Sequence, residues 1–214
     1  MNLPNKLTVI RIAIVPFFVF FMCCQDVPYR FIWALLLFIA ASVTDLLDGK
    51  LARKYDLVTN FGKFLDPLAD KILVAAALVC FVELGWTYSW VVVVILLREF
   101  AVSGVRLAAI SGDKRAVIPA NIWGKVKTVF TLVAIITILA MHILMTFGIL
   151  ADTNAFVAAN GGTLLKIEET AGGAFVSIPV QIISDVLMYL TAAITLISGV
   201  KYLYDSREFI DPKK

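Results

Sequence analysis

Six long apolar runs, each bounded by charges, Gly, Pro or Trp, dominate the chain: about residues 7–24, 30–54, 67–86, 89–110, 124–149 and 179–204. Each is close to the ~20 residues that an α-helix needs to cross a bilayer. The pattern predicts an all-α, polytopic membrane protein with six transmembrane helices in a single domain spanning 1–214. The stretch 150–178 breaks the pattern. It carries Gly161, Gly162, Gly172 and Gly173 and the acidic pair Glu168 and Glu169, and reads as an exposed extracytoplasmic loop. Composition agrees with the spans: 61% of residues are apolar, only 16% are charged and mean hydropathy is +0.92. A soluble domain carries about 25% charged residues, so this chain has too few to cover a water-facing surface.

Charge adds direction. Of the 19 Lys and Arg, 16 fall in the N-terminus and the segments 50–72, 106–127 and 201–214, which the positive-inside rule places in the cytoplasm with both termini. Arg30 and Lys166 fall on the other side, and Arg98 lies inside the fourth span. Trp33, Trp86 and Trp90 sit near the outer interface and Trp123 near the inner one, as an aromatic belt requires. The net charge of +3 is too small for a nucleic-acid partner. Cys23, Cys24 and Cys80 have neither disulfide nor metal-site spacing and read as packing residues. Phe20-Phe21-Met22-Cys23 offers no small-residue cleavage site, so the first span is expected to remain in the mature protein.

The chemically informative segment is Asp45-Leu46-Leu47-Asp48-Gly49-Lys50-Leu51-Ala52-Arg53, followed by Gly62-Lys63-Phe64-Leu65-Asp66-Pro67-Leu68-Ala69-Asp70. At about 100° per residue, Asp45, Asp48, Gly49 and Ala52 share an arc of roughly 60–100° on one helix. Asp66 and Asp70, spaced i, i+4, share a face of the next helix, with Pro67 expected in its first turn. A short cytoplasmic turn joins the two helices, so antiparallel packing can bring the four carboxylates together. Such a group repels itself unless cations compensate. Hard divalent ions with carboxylate, water and phosphate ligands answer that need, which points to two-metal phosphoryl transfer. Gly49 and Ala52 leave room for a bulky group against the helix backbone, and Arg53 can neutralise phosphate oxygens.

These residues form the pattern Asp-x2-Asp-Gly-x2-Ala-Arg-x8-Gly-x3-Asp-x3-Asp, which resembles the signature of the CDP-alcohol phosphotransferases at every signature position: Asp45, Asp48, Gly49, Ala52, Arg53, Gly62, Asp66 and Asp70. The resemblance implies six spans and transfer of a phosphatidyl group from CDP-diacylglycerol to an alcohol, with release of CMP. It further implies Mg²⁺ or Mn²⁺ held by Asp45, Asp48, Asp66 and Asp70, with Asp70 as the base. Contacts to the CDP-lipid are implied at Gly49, Ala52, Arg53 and Gly62, and the assembly implied is a homodimer.

The acceptor must be read outside the signature. Arg106, Lys114-Arg115, and Lys125 with Lys127 form cytoplasmic basic clusters, the last at the start of the fifth span, where unpaired backbone N–H groups favour an anion. Arg98 in Leu97-Arg98-Glu99 lies inside a span and needs a partner within the bundle. Arg98, Arg106, Lys125 and Lys127 are therefore the candidates for an acceptor phosphate, while Lys114 and Arg115 read as ordinary positive-inside residues. Leu3-Pro4-Asn5-Lys6-Leu7-Thr8-Val9-Ile10-Arg11, Ser103-Gly104-Val105-Arg106 and Gly124-Lys125-Val126-Lys127-Thr128 resemble the bacterial family members whose acceptor is sn-glycerol 3-phosphate. Inositol phosphate, serine and phosphatidylglycerol remain alternative acceptors. An intramembrane prenyltransferase and an ion transporter are the rivals from other classes. His142 reads as a packed or interfacial residue, and Asp185 as either interfacial or paired within the bundle.

Overall fold

The computed structural model describes residues 3–55, 60–111, 122–147, 166–170, 173–177 and 180–205, with side chains described at 8–44, 69, 71–105, 122–147 and 180–205. Among the described residues six α-helices follow the apolar runs: α1 Leu3–Cys23, α2 Arg30–Tyr55, α3 Asn60–Glu83, α4 Ser89–Ser111, α5 Ile122–Thr146 and α6 Val180–Asp205. Two features depart from the expectation. The third helix begins at Asn60, so Pro67 lies inside it rather than in its first turn. An apolar run marks where a helix becomes greasy, and backbone hydrogen bonding carries the helix beyond that point. The stretch 150–178 is not wholly irregular either: β1 Lys166–Thr170 and β2 Gly173–Ser177 pair antiparallel, with Ile167 opposite Val176.

The helix ends have local causes. Gly85 adopts φ +71° after α3, and this left-handed residue lets the Trp86 amide donate to the Phe81 carbonyl at 2.8 Å and its own amide donate to Val82 at 3.0 Å. This is the Schellman arrangement, in which glycine escapes the Cβ penalty. At the other short connection Tyr29 takes φ +56°, and its carbonyl accepts from the Ile32 amide at 2.9 Å to open α2.

The core is built from residues three and four apart on each helix: Phe18 and Met22 of α1, Phe38 and Ala41 of α2, Ala77 and Phe81 of α3, Val91 and Ile95 of α4, Ile135 and Leu139 of α5, and Met188 and Ala192 of α6. α1 packs on α2 and α3, α6 on α4 and α5, and α5 and α3 bridge the two groups. Trp86 is buried against Phe31 and Phe81 and stacks on His142 with centroids 3.6 Å apart. Its indole is enclosed because the tight glycine turn folds it back over α3. His142 is accordingly a packed residue. Gln181 Nε2 donates to the Asp185 carboxylate at 3.3 Å, so Asp185 pairs within its own helix.

The outward faces are also apolar. Leu97 and Val200 are each 67% exposed, and Val129 is 61% exposed. A soluble bundle keeps polar residues there. By length and composition α5 and α6 are each able to cross a membrane, and α1 and α2 contain shorter apolar helices, Thr8–Cys23 and Arg30–Thr44.

Phe38 is fully buried with its ring 5.9 Å from that of Phe18, the central contact between α1 and α2. Replacing Phe38 by Ala leaves a cavity there and is expected to destabilise the fold by about 3 kcal/mol, read as a lower midpoint for thermal unfolding in detergent. Leu97→Ala, on an exposed face, is expected to shift stability by no more than ~0.5 kcal/mol.

Candidate active site

Helix geometry sets the level of the four aspartates. At 1.5 Å per residue, Asp48 stands about 10 Å and Asp45 about 15 Å from the end of α2. Asp66 and Asp70 stand about 9 Å and about 15 Å from the start of α3. The carboxylate-bearing positions thus stand at similar distances along their own helices from the two ends that residues 56–59 connect in sequence. Among the described residues the main neighbour shared by α2 and α3 is α1, which packs on both. The side chains of Asp45, Asp48, Gly49, Ala52, Arg53, Gly62, Asp66 and Asp70 lie outside the described residues. As a donor set, four carboxylates suit a hard divalent cation such as Mg²⁺ or Mn²⁺. Elsewhere, among the described residues, no group of three or more His, Cys, Asp and Glu is placed to hold a metal.

One residue beyond Asp70, the side chain of Lys71 opens a second polar region. Lys71, Arg98, Glu99, Ser103, Lys125, Lys127 and Ser198 line a cavity of about 520 Å³ between α3, α4, α5 and α6. That volume falls in the range of small-molecule sites, roughly 300–1,000 Å³. Its electrostatics centre on Glu99. The Glu99 carboxylate pairs with Lys127, lies 3.7 Å from Arg98 Nη1 and 4.0 Å from Lys71 Nζ, and the Lys71 ammonium also donates to the Glu99 carbonyl at 2.9 Å. Arg98 Nη2 donates to Ser198 Oγ at 2.7 Å, a buried bond from α4 to α6. Arg98 and Lys127 are buried, whereas Lys125 is exposed at the start of α5.

Three of the four residues expected at an acceptor phosphate, Arg98, Lys125 and Lys127, thus line one cavity. The fourth, Arg106, falls on the same face of α4 as Arg98 and Val102 by helical register, with its side chain outside the described residues. Sequence reasoning passed over Lys71, Ser198 and the part played by Glu99. An acid inside an apolar run is a signal in its own right, but its two lysine partners, Lys71 and Lys127, stand 28 residues away on either side, beyond any local spacing rule. Arg11, the last residue of the Leu3–Arg11 stretch, is buried in α1, the helix that packs against both aspartate-bearing helices.

The chain belongs to the CDP-alcohol phosphatidyltransferase family, whose sequence model matches residues 1–197. Among curated proteins it is 45% identical over 149 residues to a CDP-diacylglycerol–glycerol-3-phosphate 3-phosphatidyltransferase of Bacillus subtilis, covering 64% of this chain and 76% of that one. Proteins of the same name from Rickettsia bellii and Haemophilus influenzae are 30% and 33% identical, over 97% and 94% of this chain and 97% and 91% of their own lengths.

Glu99 is the shared anion of three cations. Glu99→Ala removes that carboxylate from among them and is expected to destabilise the bundle by about 3 kcal/mol, the lower end for breaking a buried pair. Lys127→Met, which leaves Glu99 with two partners, should lower the melting midpoint less. Equal midpoints for wild type and Glu99→Ala would contradict this electrostatic account.

Proposed function

We propose that the chain is a six-span membrane enzyme that transfers a phosphatidyl group from CDP-diacylglycerol to sn-glycerol 3-phosphate, giving phosphatidylglycerophosphate and CMP. The observation that carries this reading is the cavity of about 520 Å³ lined by four cations, Lys71, Arg98, Lys125 and Lys127, beside the aspartate-bearing end of α3. Among the described lining residues these four cations stand with one carboxylate, that of Glu99. A phosphorylated alcohol is attracted there and a neutral one is not. Membership of the family and the printed names of the relatives support the same reaction.

The division of labour follows from the placement of the residues. The exposed apolar faces let the lipid chains of donor and product stay in the bilayer. Asp45, Asp48, Asp66 and Asp70 would hold Mg²⁺ or Mn²⁺, which supplies charge neutralisation at the diphosphate. Gly49, Ala52 and Gly62 give the CDP moiety room beside the helices, and Arg53 pairs with its phosphates. Lys127, Arg98, Lys125 and Arg106 hold the acceptor by its phosphate and so aim its hydroxyl at the lipid-side phosphorus. The hydroxyl oxygen forms the new P–O bond, its proton passes to Asp70, and the bond to the CMP oxygen breaks. Positioning and charge neutralisation contribute most of the acceleration.

In this reading the cationic segments and both termini face the cytoplasm, the stretch 150–178 faces the other side, and the enzyme is the homodimer that the family resemblance implies. The test is CMP release by purified protein from CDP-diacylglycerol. Release is expected with sn-glycerol 3-phosphate, not with glycerol or serine, and is expected to stop when divalent metal is chelated. Lys127→Ala removes a charge-assisted contact to the phosphate and should raise KM for the acceptor about 10-fold or more, with KM for CDP-diacylglycerol changed less than about 2-fold. CMP release indifferent to metal or to the acceptor's phosphate would overturn the reading.

A further inference from the structure

Arg98 reaches the cavity from α4, but its path is set by α6. Ser198 Oγ accepts from Nη2 at 2.7 Å and so fixes one arm of the guanidinium. The neighbouring residue, Gly199, is buried and lies against the stem of the same side chain. A Cβ built there would meet Arg98 Cγ at 2.7 Å, Nε at 3.2 Å and Cδ at 3.5 Å, all three nearest atoms belonging to Arg98. Cγ is only the second carbon of the side chain, so it cannot yield without a change of χ1 that swings the guanidinium away. Gly199 is therefore a groove for the arginine stem and Ser198 a stop for its head, one residue apart on a helix that, among the described residues, contributes Ser198 and Tyr202 to the cavity wall.

We propose that Ser198 and Gly199 are positioning residues for the acceptor phosphate: together they fix the Arg98 fork at the cavity, and through it the enzyme's preference for a phosphorylated alcohol. This rests on the assignment of Arg98 to the acceptor phosphate made above. A planar, five-donor guanidinium recognises phosphate only when its orientation is set. Glu99 supplies charge on one side at 3.7 Å, a distance that does not set orientation, whereas the Ser198 hydrogen bond does. The close helix approach at Gly199 is what allows both contacts.

The experiment measures steady-state CMP release for Ser198→Ala, Gly199→Ala, Arg98→Ala and the double variant Arg98→Ala/Gly199→Ala in detergent–lipid micelles. Arg98→Ala is expected to raise KM for glycerol 3-phosphate. Gly199→Ala is expected to raise it about 10-fold or more and Ser198→Ala about 5-fold, misplacement of a positioning group by about an ångström being enough for such losses. KM for CDP-diacylglycerol should stay within about 2-fold, and Ser198→Thr, which keeps the hydroxyl, should restore acceptor binding. In the Arg98→Ala background Gly199→Ala should add less than about 2-fold, because the group it displaces is gone; two independent effects would multiply. If Arg98→Ala weakens acceptor binding while Ser198→Ala and Gly199→Ala do not, the positioning role is overturned and the assignment of Arg98 stands. If Arg98→Ala itself leaves acceptor KM unchanged, both are overturned. A full multiplicative effect of Gly199→Ala in the double variant would make the glycine a packing residue only and would also overturn the proposal.

Discussion

A single carboxylate sets the terms for the charged interior of this bundle. Glu99 pairs with Lys127 and lies within 4.0 Å of Lys71 and Arg98, cations drawn from α5, α3 and α4. Each alone inside an apolar bundle is expensive. Pooled around one anion they are tolerable, and they line a cavity rather than face hydrocarbon. The same arrangement ties helices together, since Arg98 continues to Ser198 on α6. In the proposed function the one cluster would serve both stability and anion attraction.

The rest of the molecule is organised to permit that concentration of charge. The core is assembled from Phe, Leu, Ile and Ala at helical spacing, and the outer faces carry residues such as Leu97 and Val200, which have no use for water. The four aspartates lie on α2 and α3, and Lys71, which lines the cationic cavity, follows the last of them in sequence. The proposed function sets two opposite charge problems, an excess of carboxylates and an excess of cations, side by side. In the proposed function, metal and phosphate ligands shared between them would relieve both.

Much of this was legible in the sequence because it is local. Helices announce themselves through long apolar runs, and Asp45 to Asp70 form a short, specific pattern. Arg98, Lys125 and Lys127 stood out as basic residues in or beside spans, and all three line one cavity. What stayed hidden depends on contacts between distant segments. The pairing of Glu99 with Lys71 and Lys127, the groove at Gly199 for Arg98 and the stacking of His142 on Trp86 join residues that no helical period relates. The start of α3 was misplaced because hydropathy reports burial, whereas hydrogen bonding determines helix length. The hairpin of β1 and β2 was missed because its glycine-rich surroundings read as a loop.

The central claim is that the aspartates and the cationic cavity form one site. The most direct measurement is the ³¹P relaxation of sn-glycerol 3-phosphate in the presence of Mn²⁺ and the purified protein, without CDP-diacylglycerol so that no turnover occurs. The account predicts a saturable, protein-dependent paramagnetic enhancement of the phosphate signal. It should be lost both in Lys127→Ala, which removes the phosphate contact, and in Asp66→Asn/Asp70→Asn, which removes the metal ligands. A protein that binds the phosphate with no enhancement beyond Mn²⁺ in buffer would place the two sites apart and contradict the account.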